Sequence, residues 1–253
     1  MGKTFENQDL GGAVFRRVNL HHAVFDDVNL EKASIRNVNL ANASIEDANI
    51  MGMTIFGFRI DELIEAELDR RDPERVELRM DDPYDPTGVR RVMDRLEQRR
   101  SVFRATLRSA SSEQLCRRPA EDRWSAIEHT RHLVFAEDLY TNRWILRNDE
   151  PWTRLGLLPA FLAERVEYAD VGSEPCDDIE TVLSAWDAIH ARTQAFLRAV
   201  TPEALRRDTS DIDFGQRTVG RVLQGMALHD LHHIRKAEAA LLAAKTDKEG
   251  DRP

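Results

Sequence analysis

The chain has 253 residues, 42% of them hydrophobic and 32% charged, with a formal net charge of −9. That balance excludes a disordered chain, and its acidity excludes non-specific nucleic-acid binding through basic patches. No apolar run reaches the roughly 18 residues of a membrane span, and no basic start leads into an apolar stretch, so neither a transmembrane segment nor a secretory leader is expected. Two cysteines, Cys116 and Cys176, stand far apart without Cys-x-x-Cys spacing and read as reduced thiols of a cytoplasmic protein.

The first element is a five-residue period. Its centres are Phe5, Leu10, Phe15, Leu20, Phe25, Leu30, Ile35, Leu40, Ile45, Ile50 and Ile55, without exception. Neither a helix nor a flat strand keeps every fifth residue on one side, so the chain must turn a corner every five residues. Two positions before each centre stand small or β-branched residues, Ala13, Val18, Ala23, Val28, Ala33, Val38, Ala43 and Ala48. A large centre with a small partner would fill a narrow interior. Asn19, Asn29, Asn39 and Asn49 would then face outward, and His21 and His22 would sit on a surface corner. Lys3, Gln8 and Met53 fit the interior poorly and mark frayed or capped ends.

Residues 3–57 resemble the pentapeptide-repeat family. The resemblance implies a right-handed quadrilateral β-helix with four repeats per coil, hence about 2.75 coils from eleven repeats. Some members of that family imitate nucleic acid. Here residues 1–58 hold five basic and seven acidic side chains, a net −2 that is weak for such mimicry.

After the repeats, Leu63, Ile64 and Leu68 lie at helical spacing behind Asp61, a candidate N-cap, and read as a helix closing the open end of the coils. Pro73, Pro83 and Pro86 then punctuate an acidic stretch that reads as a linker. Four amphipathic helices follow. The first covers about 87–110, with a stripe of Val89, Met93, Leu96, Phe103 and Leu107. The second starts at Ser125, in the capping-box pattern with Glu128, and carries His132, Phe135, Leu139 and Leu146. The third covers about 178–200 with Val182, Trp186, Ile189, Phe196 and Val200, and the fourth about 217–244 with Val222, Met226, His229, His233 and Ala240. Residues 149–177 are too many for a tight hairpin and predict a crossover. The expected domains are therefore 1–58, a cap and linker over 59–84, a bundle over 85–245 and a polar tail over 246–253. The expected class is α+β: a quadrilateral β-helix followed by an all-α four-helix bundle.

The chemistry turns on the histidines. His229 and His233, four residues apart, project from one helix face, which is the apolar stripe; His132 lies on the inward stripe of the second helix. Two imidazoles from one helix and one from another can bind a divalent ion and leave a position open. The structural alternative is a buried, hydrogen-bonded histidine pair, for which chance spacing among 8 histidines already allows about 0.25 pairs.

The stretches DRWSAIEHTRHLVFAEDLY and HDLHHIRKAE resemble the DinB-like superfamily of metal-binding four-helix bundles over about 85–245. The resemblance pairs Trp124-Ser125 with the opener of the family's second helix, and His132, His229 and His233 with its ligands. It implies a divalent metal, zinc first and nickel as the alternative, and a transferase or isomerase reaction using a low-molecular-weight thiol. Metal-assisted hydrolysis is the second enzyme chemistry, with Glu137, Asp138 or Asp230 as general base and Glu137 favoured. For each carboxylate the structural reading is solvation or an ion pair with Arg143 or Arg235. Trp124, His129 and His190 are further candidates for the pocket, although His129 falls beside the stripe and reads as exposed, and His232 reads as solvated or packed against the third helix. The expected partners are a small-molecule substrate or thiol and a second copy of the chain, with no nucleic acid and no membrane. A reading of another class remains open: a non-catalytic assembly protein whose β-helix docks a partner.

Overall fold

The computed structural model describes residues 3–6, 8–26, 28–46, 48, 50–159, 162, 166–174, 178–209 and 217–250, the last four by their backbone alone. Asp27, Asp47, Asn49 and Cys176 lie outside the described residues. The chain divides into two compact units, Met1–Arg36 and Asn37–Pro253.

In the first unit the five-residue rhythm is written in the backbone. The carbonyls of Leu10, Leu20 and Leu30 accept from the amides of Ala13, Ala23 and Ala33 at 2.9–3.0 Å. Gly12, Arg17, His22 and Lys32 take left-handed φ angles of 56–74°. A left-handed residue at the third position of a turn is what such a corner needs. Asp9, Asn19 and Asn29 cap these corners by accepting from the amides two residues on, at 2.8–3.0 Å, an Asx-turn role that outward exposure alone did not predict.

The interior expected of a β-helix is not formed. The described residues of this unit contain no strand, and the centres Phe5, Phe15, Phe25 and Ile35 are 60–61% exposed. Such units bury a face only where one coil stacks on the next.

The second unit begins with the same corners at Asn42 and Gly52. It continues into a two-residue antiparallel ribbon, β1 (Thr54–Ile55) and β2 (Phe58–Arg59), whose turn puts Phe56 and Gly57 at positive φ. Helix α1 (Ile60–Arg71) follows. Asp61 is not its N-cap: its carboxylate accepts from the Gly52 amide and pairs with Arg59. The expected cap is not made either, because Leu63, Ile64 and Leu68 stay 41–58% exposed. The acidic stretch read as a linker packs on the bundle instead. It forms α2 (Pro73–Glu77) and buries Leu78 and Met80, with Gln224 donating to the Leu78 carbonyl. At Pro83 the backbone passes so close to Gly220 that a Cβ there would stand 2.0 Å from the Pro83 oxygen.

The bundle is α3 (Pro86–Ser109), α5 (Ala126–Glu137), α6 (Ile179–Ala199) and α8 (Val219–Gly250), with short α4 (Ser112–Cys116) and α7 (Pro202–Arg206) in the connections. Asp85 and Asp178 cap α3 and α6, and Ser125 and Glu128 form the expected capping box on α5. After Glu137 the second helix widens into a π-helical segment, Asp138–Ile145, and Leu146 comes out 39% exposed. Among its described residues the crossover includes a 3₁₀ turn, Val166–Tyr168. Arg131 stitches it down, donating to the carbonyls of Leu155, Gly156 and Glu174. No helix among the described residues is long and apolar enough to cross a membrane.

The core falls into two apolar clusters. One holds Val89, Met93 and Leu96 of α3 with Phe135, Leu197 and Met226; the other holds Phe103, Leu107, Leu133, Trp186, Ile234 and Leu241. Between them every long helix interrupts its stripe with buried polar side chains: Arg100, His132 and Glu137, His190 and Thr193, and Asp230.

Candidate metal centre

The polar layer has two parts. In the first, His132 of α5 meets His229 and His233 of α8. One ligating atom from each lies within 4.8 Å of the others. The ring centroids are 4.4 Å apart for His132 and His233 and 4.5 Å for His229 and His233. Spacing explains the convergence: positions 229 and 233 rise about one turn along α8, while the capping box fixes where α5 begins and so the level of His132. Trp124 forms a wall, its ring 5.0 Å from that of His132 and 5.4 Å from that of His129. The ring of Tyr140, on the π-helical segment, stands edge-on to His229 at 5.7 Å.

Tautomers follow from the partners. His132 Nδ1 lies 3.0 Å from the Leu157 carbonyl. A carbonyl only accepts, so Nδ1 carries the proton and Nε2 is bare. That bare nitrogen faces His229 Nε2 at 3.2 Å. His229 Nδ1 faces the Asp230 carboxylate at 3.7 Å, beyond hydrogen-bond reach. With its Nε2 protonated, His229 donates to the bare Nε2 of His132; with its Nε2 bare, both nitrogens are available to one cation. With zinc–nitrogen bonds of about 2.0–2.1 Å, two tetrahedral ligands stand about 3.3 Å apart, so the separation fits such an ion. Burial, reinforced by the neighbouring imidazoles, lowers His132 to about 3 and also lowers His233. Both are thus held neutral, the form that ligates.

His129, expected beside the stripe and exposed, is instead buried, with Nδ1 3.1 Å from Nδ1 of His233. His232 is exposed, as expected.

The second part is a charge network around Arg100, which is fully buried. Its guanidinium donates to Asp230 Oδ2 through Nε at 2.8 Å and lies 3.1 Å from Glu137 Oε2. Glu137 also accepts from Trp186 Nε1 at 2.6 Å and from Thr193 Oγ1 and His190 Nδ1 at 2.7 Å. Burial alone would raise its carboxyl; Arg100, His190 and Thr193 outweigh burial and hold it at about 2. A carboxylate so fully engaged is a poor proton acceptor, which removes the reason to single out Glu137 as general base. Asp138 accepts from the Thr153 amide and Asn142, and Asp230 pairs with Arg100, so neither meets Arg143 or Arg235. His190, expected as a pocket group, belongs to this network. Sequence reasoning missed Arg100, yet its signal was there: position 100 falls on the apolar stripe between Leu96 and Phe103. Nothing in the sequence announced the Leu157 carbonyl, because any residue supplies one.

A family model of the DinB superfamily matches residues 95–237, and one of pentapeptide repeats, in 8 copies, matches residues 4–37. Comparison with curated proteins and with solved structures returned no match. The three histidines, the bundle that presents them and a match over more than half the chain lead to one assignment: the chain belongs to the DinB superfamily and carries a pentapeptide-repeat segment ahead of its bundle.

Proposed function

We propose that the bundle is a metal-dependent enzyme that holds a divalent cation, zinc before nickel, between His132, His229 and His233. The observation that carries this reading is the convergence of the three imidazoles, whose ligating atoms all lie within 4.8 Å of one another. Three protein ligands leave one position of a tetrahedral ion open for an exogenous group. A bound divalent ion lowers the pKa of a thiol, so a thiolate nucleophile exists at neutral pH. We therefore read the reaction as group transfer or isomerisation with a low-molecular-weight thiol acting on a small molecule, in a cytoplasmic setting where thiols stay reduced. Hydrolysis is the weaker reading, since the carboxylate favoured as its base, Glu137, is already saturated. Residues 85–245 would carry the chemistry, and 246–253 would take no part.

Elemental analysis of the full chain, purified without chelating resin, tests the site. About one metal per chain is expected, lost in His229→Ala and His233→Ala and kept in His22→Ala. A metal-free wild type would refute the site. A thermal-shift screen of thiols against the metal-loaded protein then tests the reaction class.

A second reading concerns residues 1–58. Phenylalanines 60–61% exposed at positions 5, 15 and 25 form an apolar ladder that a solitary chain does not cover. In this reading the segment is a short quadrilateral β-helix completed by a second copy, giving a homodimer. Sedimentation of the full chain beside a variant with Phe15 and Phe25 changed to Asp tests it; a monomeric wild type would rule it out.

A further inference from the structure

The two parts of the polar layer meet at one point. His229 Nδ1 and Asp230 Oδ1 are both buried, both lack a hydrogen-bond partner, and lie 3.7 Å apart. The other two ligating histidines are already backed: His132 Nδ1 by the Leu157 carbonyl at 3.0 Å and His233 Nδ1 by His129 at 3.1 Å. Asp230 is not free to turn elsewhere. Its Oδ2 is bound by Arg100, and Arg100 is fixed in turn by Glu137, which Trp186 and Thr193 hold. The remaining oxygen, Oδ1, is thereby left facing the imidazole.

Ligating histidines usually donate their second N–H to a carboxylate or carbonyl, which fixes the ring and raises its basicity. Here donor and acceptor are present but stand about 0.8 Å beyond the usual N–H···O separation near 2.9 Å. A small rotation of the His229 ring about its side-chain bonds would close that gap. From this we propose that Asp230 is a positioning residue for the metal: it takes the Nδ1 proton of His229 in a hydrogen bond when Nε2 ligates, and Arg100 holds its carboxylate in place for that purpose. The inference rests on the three-histidine reading above. It adds that the buried charge network is the outer shell of the site, so that α3, which supplies no ligand, contributes to metal affinity through Arg100.

The test is Zn²⁺ affinity of the full chain by competition with a chromophoric chelator, with the thermal stability of the metal-free forms measured alongside. Asp230→Asn should bind zinc about 10–100-fold more weakly. Leu107→Ala opens a cavity in the apolar core outside the network, and should lower metal-free stability while changing zinc affinity less than about threefold. Equal losses in both variants would mean that affinity merely follows the stability of the fold, and would overturn the proposal; so would unchanged affinity in Asp230→Asn. The wild type supplies a readout that needs no variant. With ¹⁵N-labelled histidine, the zinc-loaded protein should show a slowly exchanging Nδ1–H of His229, and its absence would overturn the proposal even if Asp230→Asn fails to fold. A wild type that takes up no zinc removes the three-histidine site and this inference together. A wild type that binds zinc with Asp230 playing no part removes the inference alone.

Discussion

His190 makes the sharpest prediction, because its two nitrogens face two carboxylates. Nδ1 lies 2.7 Å from Glu137 Oε1 and Nε2 lies 3.0 Å from Glu97 Oε2. A neutral imidazole has one N–H and serves one of them; the imidazolium serves both. Burial works against the charge, as does Arg100, whose Nη1 is 2.8 Å from Nδ1. The carboxylates prevail and raise the group from 6.5 to about 9. The Glu97 contact is off the ideal N–H axis and Gln194 shares that nitrogen at 3.0 Å, so most of the effect is assigned to Glu137.

The folded state holds this proton more tightly than the unfolded chain. Its contribution to stability is complete below pH 6.5 and is lost as pH rises through about 9. A shift of that size corresponds to about 3 kcal/mol. The measurement is urea unfolding of the metal-free chain from pH 6 to pH 10, for wild type and His190→Gln, with the difference taken at each pH. The gap between the two should be widest at pH 6 and should shrink by about 3 kcal/mol by pH 10. A gap that stays constant over that range, or widens with pH, would show that His190 is buried neutral and that the two-carboxylate argument is wrong.

Further outcomes follow from single contacts. Gly220→Ala would set a methyl 2.0 Å from the Pro83 oxygen, with backbone on the far side, so unfolding experiments should report a loss of about 3 kcal/mol. Ser125→Ala removes the α5 capping box and should lower stability by about 1 kcal/mol, or about 2–4 °C in Tm. Arg131→Met frees three carbonyls of the crossover; hydrogen exchange of residues 152–158 and 166–174 should rise while α3 and α6 stay protected, and unchanged exchange would deny Arg131 its clamping role.

What was legible in advance follows a physical division. The helices were legible because their signals are local: Asp85 and Ser125 cap where the pattern begins, and the stripes of α3, α6 and α8 repeat at 3.6 residues. The five-residue corners were legible for the same reason, and the backbone keeps them at Gly12, Arg17, His22 and Lys32. The coil interior was not, because it depends on stacking between residues some twenty positions apart. The linker reading of the acidic stretch within 59–84 failed similarly: prolines mark turns correctly, but whether Leu78 and Met80 are buried depends on Gln224 and the rest of α8. The π-helical widening after Glu137 has no composition signature at all, although it is what sets Tyr140 against His229.

The polar layer bears most directly on function. Four helices give up their apolar stripe at one level, so the interruption is a property of the bundle and not of any one residue. A bundle built for stability alone would carry leucine there, since well-packed apolar residues equal or exceed buried ion pairs in stability. Stability does not explain why His229 Nδ1 and Asp230 Oδ1 are buried without partners, or why three imidazoles converge within 4.8 Å. Buried polar groups without partners are unfavourable, and a cation held by the three imidazoles would place on His229 Nδ1 the proton that Asp230 can accept. A single perturbation separates the two explanations. Replacing Arg100, Glu137, His190 and Asp230 together with apolar residues should leave the fold intact or more stable while weakening zinc binding. If that variant binds zinc as tightly as the wild type, the layer is a structural relic and the three histidines act alone.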